Sequence, residues 1–421
     1  MERGTAQGTD QRWNTIDRYM IVSADGHAGA DLLDYRPYLA ARWHDEFDAW
    51  AASYVSPWGD LVRPDADRNW NDERRRRELD REGVAAEVLF PNTTPPFFPA
   101  GSLLMHLPTT RDDYDRRWAG LQAHNRWLSD FCAQYPGRRG GIYQIMLNDV
   151  DDAVAEIRWA KDKPGLNGGI LLPGVSPDHP TVPALYDEQY EPLWQVCAEL
   201  DVPINHHSGA GLPQYGMKPA ARAVQLVEIP IFSHRALWHL IFAAVFERHP
   251  TLKFILTEQG TGWIPNGLAS LDWFMGRMKK VGSAESMFGG EAADKLSMMP
   301  SEYFARNCFV GASFIRPIEA DLRHLVGVDR IMWGADYPHS EGTMPYTREA
   351  LRASFAHAGV DECRLMFGKT AADVYGFDVA QLARVAAEIG PKVDEIHRPL
   401  HEFPTDTHCG AFDRDAIVRS W

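Results

Sequence analysis

The stretch YMIVSADGH at residues 19–27 holds the pattern that decides the fold of this chain. A run of apolar and β-branched residues is typical of a buried strand, and this one leads into Asp25 and His27, two side chains that bind metals. Residues two apart in an extended segment point the same way, so a carboxylate and an imidazole can hold one ion from one strand end. The same succession of an apolar run and polar residues recurs along the chain.

Short apolar runs alternate with stretches of helical length, which indicates βα units and a parallel sheet. We predict eight strands, at Met20–Ala24, Val84–Phe90, Gly141–Leu147, Gly168–Leu172, Val202–His206, Leu252–Thr257, Cys308–Gly311 and Arg330–Trp333. The spacing of apolar and acidic residues predicts helices over Asp151–Ala160, Tyr190–Leu200 and Leu237–Arg248. Eight strands are what a closed barrel needs. The sequence therefore predicts an α/β fold, a single (β/α)8 TIM barrel.

Two segments exceed what a minimal barrel needs. Residues 30–80 form an insertion after the first strand, and residues 379–421 form a C-terminal extension. Residues 1–19 are an N-terminal arm, which leaves residues 20–378 for the barrel. Neither addition has the character of an independent domain, so we predict that both cover the barrel mouth or an oligomer interface.

Composition and charge exclude several classes of protein. The chain has 421 residues, is 45% hydrophobic, and has a formal net charge of −15, which disfavours nucleic acid and anionic membranes as partners. Its five cysteines contain no CxxC pair, as expected for free thiols in a reducing compartment. The N-terminus has no apolar signal segment, and the longest apolar stretch, Leu240–Phe246, is too short to span a bilayer. We expect a cytoplasmic protein.

Metal-binding side chains follow several predicted strands on one face of the barrel. His206 and His207 end the fifth strand, Glu258 follows the sixth, and Asp336 follows the eighth. The loops at these C-terminal strand ends build the active sites of such barrels. A lone Asp-x-His is usually a capping or surface feature, but the recurrence on one face predicts a metal site. Mixed histidine and carboxylate ligands suit Zn²⁺ or Mn²⁺.

Beyond the strand ends, the chain resembles the amidohydrolase superfamily, specifically its amidohydrolase-2 branch of metal-dependent hydrolases and non-oxidative decarboxylases. The resemblance extends from about Met20 to about Asp378. The motifs that carry it are EGVAAEVLFP at residues 82–91, NRWL at 125–128, PINHH at 203–207, FERHP at 246–250, EQGTGW at 258–263, WGADYP at 333–338 and YGFD at 375–378.

The resemblance implies one divalent metal ion, with Zn²⁺ expected before Mn²⁺. Its ligands would be Asp25, His27, His207 and Asp336. The fifth-strand ligand of the family is a histidine four residues after a proline, which selects His207 over His206. Asp336 matches the family's eighth-strand aspartate, which binds the metal or its water and moves protons. The family also implies a homo-oligomer, a dimer or tetramer.

One departure from the branch concerns the sixth strand. Where its decarboxylases have a histidine and, three residues on, a glutamate, this chain has Glu258 and Thr261. The difference favours a hydrolase over a decarboxylase. Glu258 stays open as an extra ligand, a second acid/base, or a residue that orients His207.

Three functions follow. We favour a hydrolase in which Asp336 accepts a proton from metal-activated water that attacks an amide, lactone, ester or ketone C–C bond. The alternative is a non-oxidative decarboxylase of an aromatic or unsaturated acid. The third is a catalytically inactive barrel that binds a small molecule, and the intact ligand positions argue against it.

Several residues near strand ends are candidates for substrate contact. An arginine can bind a substrate carboxylate through two hydrogen bonds, and aromatic side chains can line an apolar pocket, although capping and packing are the common roles of such residues. The predicted set is His234, Arg235, His339, Trp263 and Phe97, with Trp58, Phe98 and Glu341 as further candidates. The aromatic residues after the second strand point to an aromatic or apolar substrate.

Overall fold

Eight parallel strands run in chain order around one sheet of the computed structural model, which describes residues 17–413 except 58, 63 and 105. They are β1 (Ile21–Ala28), β2 (Val84–Pro91), β3 (Arg139–Gln144), β4 (Gly169–Leu171), β5 (Ile204–His207), β6 (Phe254–Thr257), β7 (Cys308–Ser313) and β8 (Ile331–Gly334). Two backbone hydrogen bonds join the residues just after β8 to β1, from Asp336 N to Asp25 O at 2.8 Å and from His27 N to Tyr337 O at 2.7 Å. The predicted (β/α)8 barrel is confirmed.

Helices connect and flank the strands. The α-helices are α1 (His44–Ser53), α2 (Asp72–Glu82), α3 (Arg111–Ala133), α4 (Val150–Lys161), α5 (Glu191–Glu199), α6 (Pro219–Phe242), α7 (Val245–Arg248), α8 (Ile264–Met278), α9 (Ala284–Asp294), α10 (Pro300–Asn307), α11 (Pro317–Asp321), α12 (Arg323–Val326), α13 (Thr347–Phe355), α14 (Val360–Arg364), α15 (Thr370–Tyr375), α16 (Val379–Ile389) and α17 (Val393–Ile396). Short 3₁₀ segments lie at Leu32–Tyr38, Ala41–Trp43, Gly59–Val62, Ala66–Asn69, Ser102–Leu104, Glu188–Tyr190, Val328–Arg330 and Gly410–Phe412, and a π-helical turn at Leu365–Lys369.

All eight predicted strands are present, and the largest difference is in β1. The strand continues to Ala28, so Asp25 and His27 lie within it rather than after it. Its register against β2 shifts between Ser23 and Gly26. This irregularity lies directly beside Asp25 and His27, the two ligands predicted on this strand, and bulges commonly re-aim a side chain.

The predicted helix Leu237–Arg248 is wrong in its bounds. Helix α6 already begins at Pro219, so His234 and Arg235 lie inside it rather than before it. The first half of α6 is mostly exposed and contains Pro230. It therefore lacks the single apolar face and the uninterrupted pattern by which a helix is predicted from sequence. Ala244 has a positive φ of 56° and separates α6 from α7.

The insertion and the extension both pack on the barrel. In the insertion, Phe47 and Trp50 of α1 lie against Phe97, with ring centroids 6.2 and 5.7 Å apart. In the extension, Leu382 of α16 is buried in the cluster that contains Ala85 at the start of β2, so α16 covers the N-terminal end of the barrel. The part of the extension that is described, 379–413, therefore packs on its own barrel.

The core has two layers, one inside the barrel and one between the barrel and its helices. Inward side chains such as Val22, Val88, Ile142, Ile255 and Met332 form the inner layer. All five cysteines are free, as predicted, and all five are buried. None of the described helices has the length and hydropathy needed to cross a membrane.

Candidate metal centre

Four side chains from three strand ends face one another at the C-terminal end of the barrel. One ligand atom from each of Asp25, His27, His207 and Glu258 lies within 4.8 Å of the other three. His207 Nε2 is 3.7 Å from Asp25 Oδ1 and 3.1 Å from Glu258 Oε2. His27 Nε2 is 3.2 Å from Asp25 Oδ1 and 3.1 Å from Asp336 Oδ1. The structure thus brings three of the four predicted ligands together with Glu258, and the fourth, Asp336, reaches this group through His27.

The facing atoms are buried and have no hydrogen-bond partner among the described residues. This holds for Asp25 Oδ1, His27 Nε2, His207 Nε2 and Asp336 Oδ2. Buried polar groups are normally paired, so a convergent set of unpaired donors and acceptors requires a reason. Two imidazoles and two or three carboxylates fit one divalent metal ion.

Outer contacts hold two of these side chains in orientations that leave the facing atoms available. His207 Nδ1 lies 3.0 Å from the carbonyl oxygen of Ser208, and donation there leaves Nε2 as the free lone pair. Ser313 at the end of β7 donates a hydrogen bond through Oγ to Asp25 Oδ2. His206 points away, with Nδ1 3.1 Å from the carbonyl oxygen of Leu172, as the alternation along β5 requires.

Asp336 is part of a second, connected group. His339 Nδ1 is 2.7 Å from Asp336 Oδ1, and His339 Nε2 is 3.1 Å from Asn92 Oδ1. Sequence reasoning missed Asn92 and Ser313, although each is a polar residue at a strand end, the same signal that identified Asp336. Both are therefore parts of the site that a stricter use of the strand-end pattern would have found.

Local backbone strain coincides with two of the acidic residues. Glu258 has φ 55° and Asp336 has φ 56°, in the left-handed region that residues other than glycine rarely adopt. Such conformations persist only where the surrounding structure determines them, and they concentrate at functional sites.

The carboxylates and imidazoles shift one another's protonation. Burial opposes ionisation of Asp25 and Asp336, but nearby histidines outweigh it and lower the pKa of both carboxyl groups. Burial likewise opposes the charged form of His27 and His207, but the adjacent carboxylates raise the pKa of both. For Glu258 burial dominates and raises the pKa to about 7.

Two cavities meet at His207. The larger, of about 550 Å³, opens at the barrel mouth and is lined by Glu258, His339 and Glu341 among others. The smaller, of about 40 Å³, lies beside the ends of β3 and β4. A small molecule in the larger cavity would reach the metal-binding side chains.

Among the predicted substrate contacts, His339 lines the larger cavity. His234 instead stacks on Trp263 at 3.7 Å between ring centroids, and the Arg235 guanidinium lies 5.4 Å from the ring centroid of Phe232. Phe97 packs into the insertion, and its neighbour Phe98 lines the smaller cavity. The described residues that line these two cavities do not include His234, Arg235, Trp263 or Phe97. Trp58 lies outside the described residues.

Comparison with known proteins agrees with this geometry. The family model described as amidohydrolase matches residues 43–377. The chain belongs to the amidohydrolase family. The resemblance inferred from the strand-end motifs is confirmed.

Several proteins that this chain is similar to are decarboxylases. A gamma-resorcylate decarboxylase of Polaromonas sp. strain JS666 is 26% identical over 277 residues, which is 63% of this chain and 76% of that protein. The 5-carboxyvanillate decarboxylase LigW of Sphingomonas paucimobilis has a TM-score of 0.62 at 20% identity, over 85% of this chain and 99% of that one. A dihydroxybenzoic acid decarboxylase of Polaromonas sp. JS666, solved with manganese and the inhibitor 2-nitroresorcinol, has a TM-score of 0.58 at 18% identity, over 86% and 98%.

Proposed function

We propose that this amidohydrolase-family enzyme is a metal-dependent, non-oxidative decarboxylase of a small aromatic acid. The observation that carries the proposal is the similarity to a gamma-resorcylate decarboxylase over 277 residues, which is 63% of this chain. The buried cluster of unpaired ligand atoms at the barrel mouth supports a metal-dependent reaction. This reverses the order of the two functions that the sequence suggested.

The proposed cofactor is one divalent ion, Mn²⁺ or Zn²⁺. Asp25, His27 and His207 would hold it, with Asp336 or Glu258 completing the set. Manganese in the similar dihydroxybenzoic acid decarboxylase supports Mn²⁺, and the mixed imidazole and carboxylate donors suit both ions. Bound there, the ion would act as a Lewis acid that orients the oxygen atoms of the substrate and offsets their charge.

Asp336 is the residue that we assign to proton transfer. Its Oδ1 lies 2.7 Å from His339 Nδ1. Burial alone would lower the pKa of His339, but the Asp336 carboxylate outweighs this effect and raises the pKa to about 10. The pair therefore holds a proton near neutral pH. When the bond between the ring carbon and the carboxylate breaks, its electron pair stays on the ring carbon and carbon dioxide leaves. The Asp336–His339 pair then supplies the proton that converts this carbon to C–H.

Glu258 favours the second candidate, a hydrolase. Its carboxyl group contacts His207, lines the larger cavity and has a pKa raised by burial to about 7, which suits a general base near neutral pH. In a hydrolase it would accept a proton from the attacking water. In a decarboxylase it would position His207 and add negative charge to the ligand set.

A product assay separates the two functions. The protein, loaded with Mn²⁺ or Zn²⁺, is incubated with 2,6-dihydroxybenzoate and other hydroxylated benzoates, and carbon dioxide is measured beside hydrolysis of aryl esters, lactones and amides. We expect carbon dioxide release that disappears in Asp336→Asn. Hydrolysis without carbon dioxide release, lost in Glu258→Gln, would replace the decarboxylase proposal with the hydrolase.

We also propose that the protein is a homo-oligomer. Exposed apolar side chains concentrate on α6, where Leu226 and Val227 are 71% and 66% exposed, and on α9, where Met287 and Phe288 are 79% and 92% exposed. Apolar patches of this kind mark interaction surfaces. Light scattering on the purified protein should give a mass of two or four chains, and a monomer at micromolar concentration would contradict the proposal.

A further inference from the structure

The smaller cavity at His207 contains a polar side chain that neither the fold nor the metal site explains. We call this cavity the β3 pocket and define it by Gln144, Ser102, Leu107, Met146, Leu172 and His207. Gln144 is the last residue of β3, and its neighbour Ile142 faces the barrel interior, so alternation turns Gln144 inward at the catalytic end. Its side chain is 2% exposed.

Gln144 is held firmly by its backbone, but its side-chain amide nitrogen is unpaired. Asn125 accepts a hydrogen bond from Gln144 N and donates one to Gln144 O, both at 2.9 Å. Gln144 Nε2 is buried and has no hydrogen-bond partner among the described residues. An unpaired buried donor destabilises a protein by the full free energy of its desolvation, so its retention calls for a partner from outside the chain.

A second unpaired polar atom lies on the wall of the same pocket. Ser102 Oγ is buried without a hydrogen-bond partner in the described part of the chain. The remaining walls include Leu107, Met146 and Leu172, which are apolar. The accessible volume of about 40 Å³ exceeds what a single water needs and suits a group of a few heavy atoms. The pocket therefore combines small size, apolar walls and two directed polar groups.

The charge near the pocket is neutralised. Arg117 lines it, but its guanidinium binds Asp113 at 2.6 Å and the carbonyl oxygen of His106 at 3.1 Å. His106 also lines the pocket, and burial lowers its pKa, which keeps the imidazole uncharged near neutral pH. The chemistry of the pocket thus fits an uncharged hydrogen-bond acceptor better than a second anionic group.

The β3 pocket is continuous with the cavity at the metal-binding side chains. Ser102, Leu103 and His207 line both. A ligand whose acid group reaches the metal-binding side chains can therefore extend a neighbouring substituent past His207 towards Gln144. Ligand sites commonly have this form, with a largely apolar wall and a few placed polar groups that decide orientation and specificity.

We propose that the β3 pocket is a specificity subsite that takes a small, uncharged substituent of the aromatic acid, with an acceptor oxygen that binds Gln144 Nε2. Carbonyl, ether and nitro oxygens are of this kind. The inference rests on the proposed function in one respect, because it takes an aromatic acid as the ligand. It does not depend on the proposed reaction. Gln144 is a specificity residue here, and Ser102 supports the same substituent.

Binding of matched ligands tests this without measuring turnover. Methoxybenzoate and ethylbenzoate have nearly the same shape, and only the first has an acceptor oxygen in the substituent. Dissociation constants are measured by titration calorimetry on Mn²⁺-loaded protein, for the pairs substituted at ring positions 2, 3 and 4. For at least one position we expect the methoxy compound to bind about ten-fold more tightly, as expected for an otherwise unpaired buried donor.

The variants Gln144→Leu and Gln144→Met should abolish this preference while retaining metal content and binding of the ethyl compound. Ser102→Ala should reduce it by a smaller factor. A wild-type protein that binds each pair equally, or variants that weaken both members by the same factor, would overturn the subsite and leave the decarboxylase proposal standing. Failure of every benzoate to bind would contradict the substrate class and the subsite together. Discrimination without carbon dioxide release would reject only the proposed reaction.

Discussion

Two buried charged clusters that meet at β1 differ in one respect, the pairing of their polar atoms. Behind the metal centre, Arg75 is fully buried and binds both carboxylate oxygens of Glu87, at 2.7 and 2.8 Å, and the carbonyl oxygen of His27 at 2.7 Å. In the metal centre, Asp25 and His207 are equally buried, yet their facing atoms are unpaired in the described structure. One cluster is satisfied by the chain itself, and the other requires a ligand.

The difference distinguishes buried charges that stabilise the fold from buried charges that bind a ligand. A buried ion pair with complete hydrogen bonding holds its elements in place, and removing one partner leaves an uncompensated charge. Unpaired convergent atoms instead weaken the fold and gain their partner from a bound ion. The two clusters meet at His27, whose side chain belongs to the metal centre and whose carbonyl oxygen is held by Arg75.

The largest expected effect is on catalysis and comes from the functional cluster. Asp336→Asn keeps the size of the side chain but removes its capacity to exchange a proton, so kcat should fall about 10²- to 10⁴-fold. Turnover of the confirmed substrate is compared with that of Asp361→Asn, whose side chain is 86% exposed in the wild type. Turnover within a factor of two of the wild type in Asp336→Asn would remove the role assigned to this residue.

The largest effect on stability should come from the paired cluster. Arg75→Leu leaves the Glu87 carboxylate buried without its main partner, so the free energy of unfolding should decrease by about 3–5 kcal/mol. Urea unfolding measures this change. The matched control is Arg398→Leu, because the Arg398–Asp394 pair is 70% and 66% exposed and such pairs contribute at most about 1 kcal/mol. Equal effects of the two substitutions would show that burial of the pair is not what matters.

Acidity should weaken metal binding. The pKa values of His27 and His207 are raised in the metal-free protein, so both imidazoles bind protons more readily than usual, and metal binding must displace those protons. Apparent affinity should therefore rise with pH through neutrality, by about ten-fold or more per pH unit, and level off above the raised pKa values. Titration with Mn²⁺ at several pH values measures this. An affinity independent of pH between 6 and 8 would argue against protonated imidazoles in the metal-free centre.

The smallest effect concerns a fully paired contact near the N-terminal end of the barrel. Tyr375 donates a hydrogen bond to Asn205 Oδ1 at 2.8 Å, and Asn205 in turn binds the carbonyl oxygens of Gly168 and Ile170. Tyr375→Phe should lower the free energy of unfolding by about 1 kcal/mol without a change in metal content. Loss of metal in this variant would indicate coupling between the two ends of the barrel that the contacts do not predict.

Much of the fold followed from local patterns, and the resemblance to the amidohydrolase superfamily selected the candidate ligands among the strand-end residues. The eight strands are short apolar runs, and Asp25, His207 and Asp336 stand where those runs end, so alternation and barrel geometry were enough to place them on one face. The contact of Asp336 with His339, and of His339 with Asn92, depends on how the loops after β8 and β2 fold over the mouth. No local pattern contains that information.

Tertiary packing explains the other differences. Phe97 follows a strand end, which made it a candidate for substrate contact, but α1 of the insertion packs against it. Gln144 was overlooked because the third strand was predicted to continue to Leu147, which concealed its position at the strand end. Two hydrogen bonds between the Asn125 side chain on α3 and the backbone of Gln144 fix that position, and the sequence spacing does not reveal such contacts.

Metal content per chain tests the central claim most directly. The protein is purified without added metal or chelator, and elemental analysis is compared for the wild type, His207→Ala, and His206→Ala, whose side chain points away from the centre. We predict about one divalent ion per chain in the wild type and in His206→Ala, and far less in His207→Ala. Absence of metal from all three, even after incubation with Mn²⁺ and Zn²⁺, would contradict the assignment of this cluster as a metal centre.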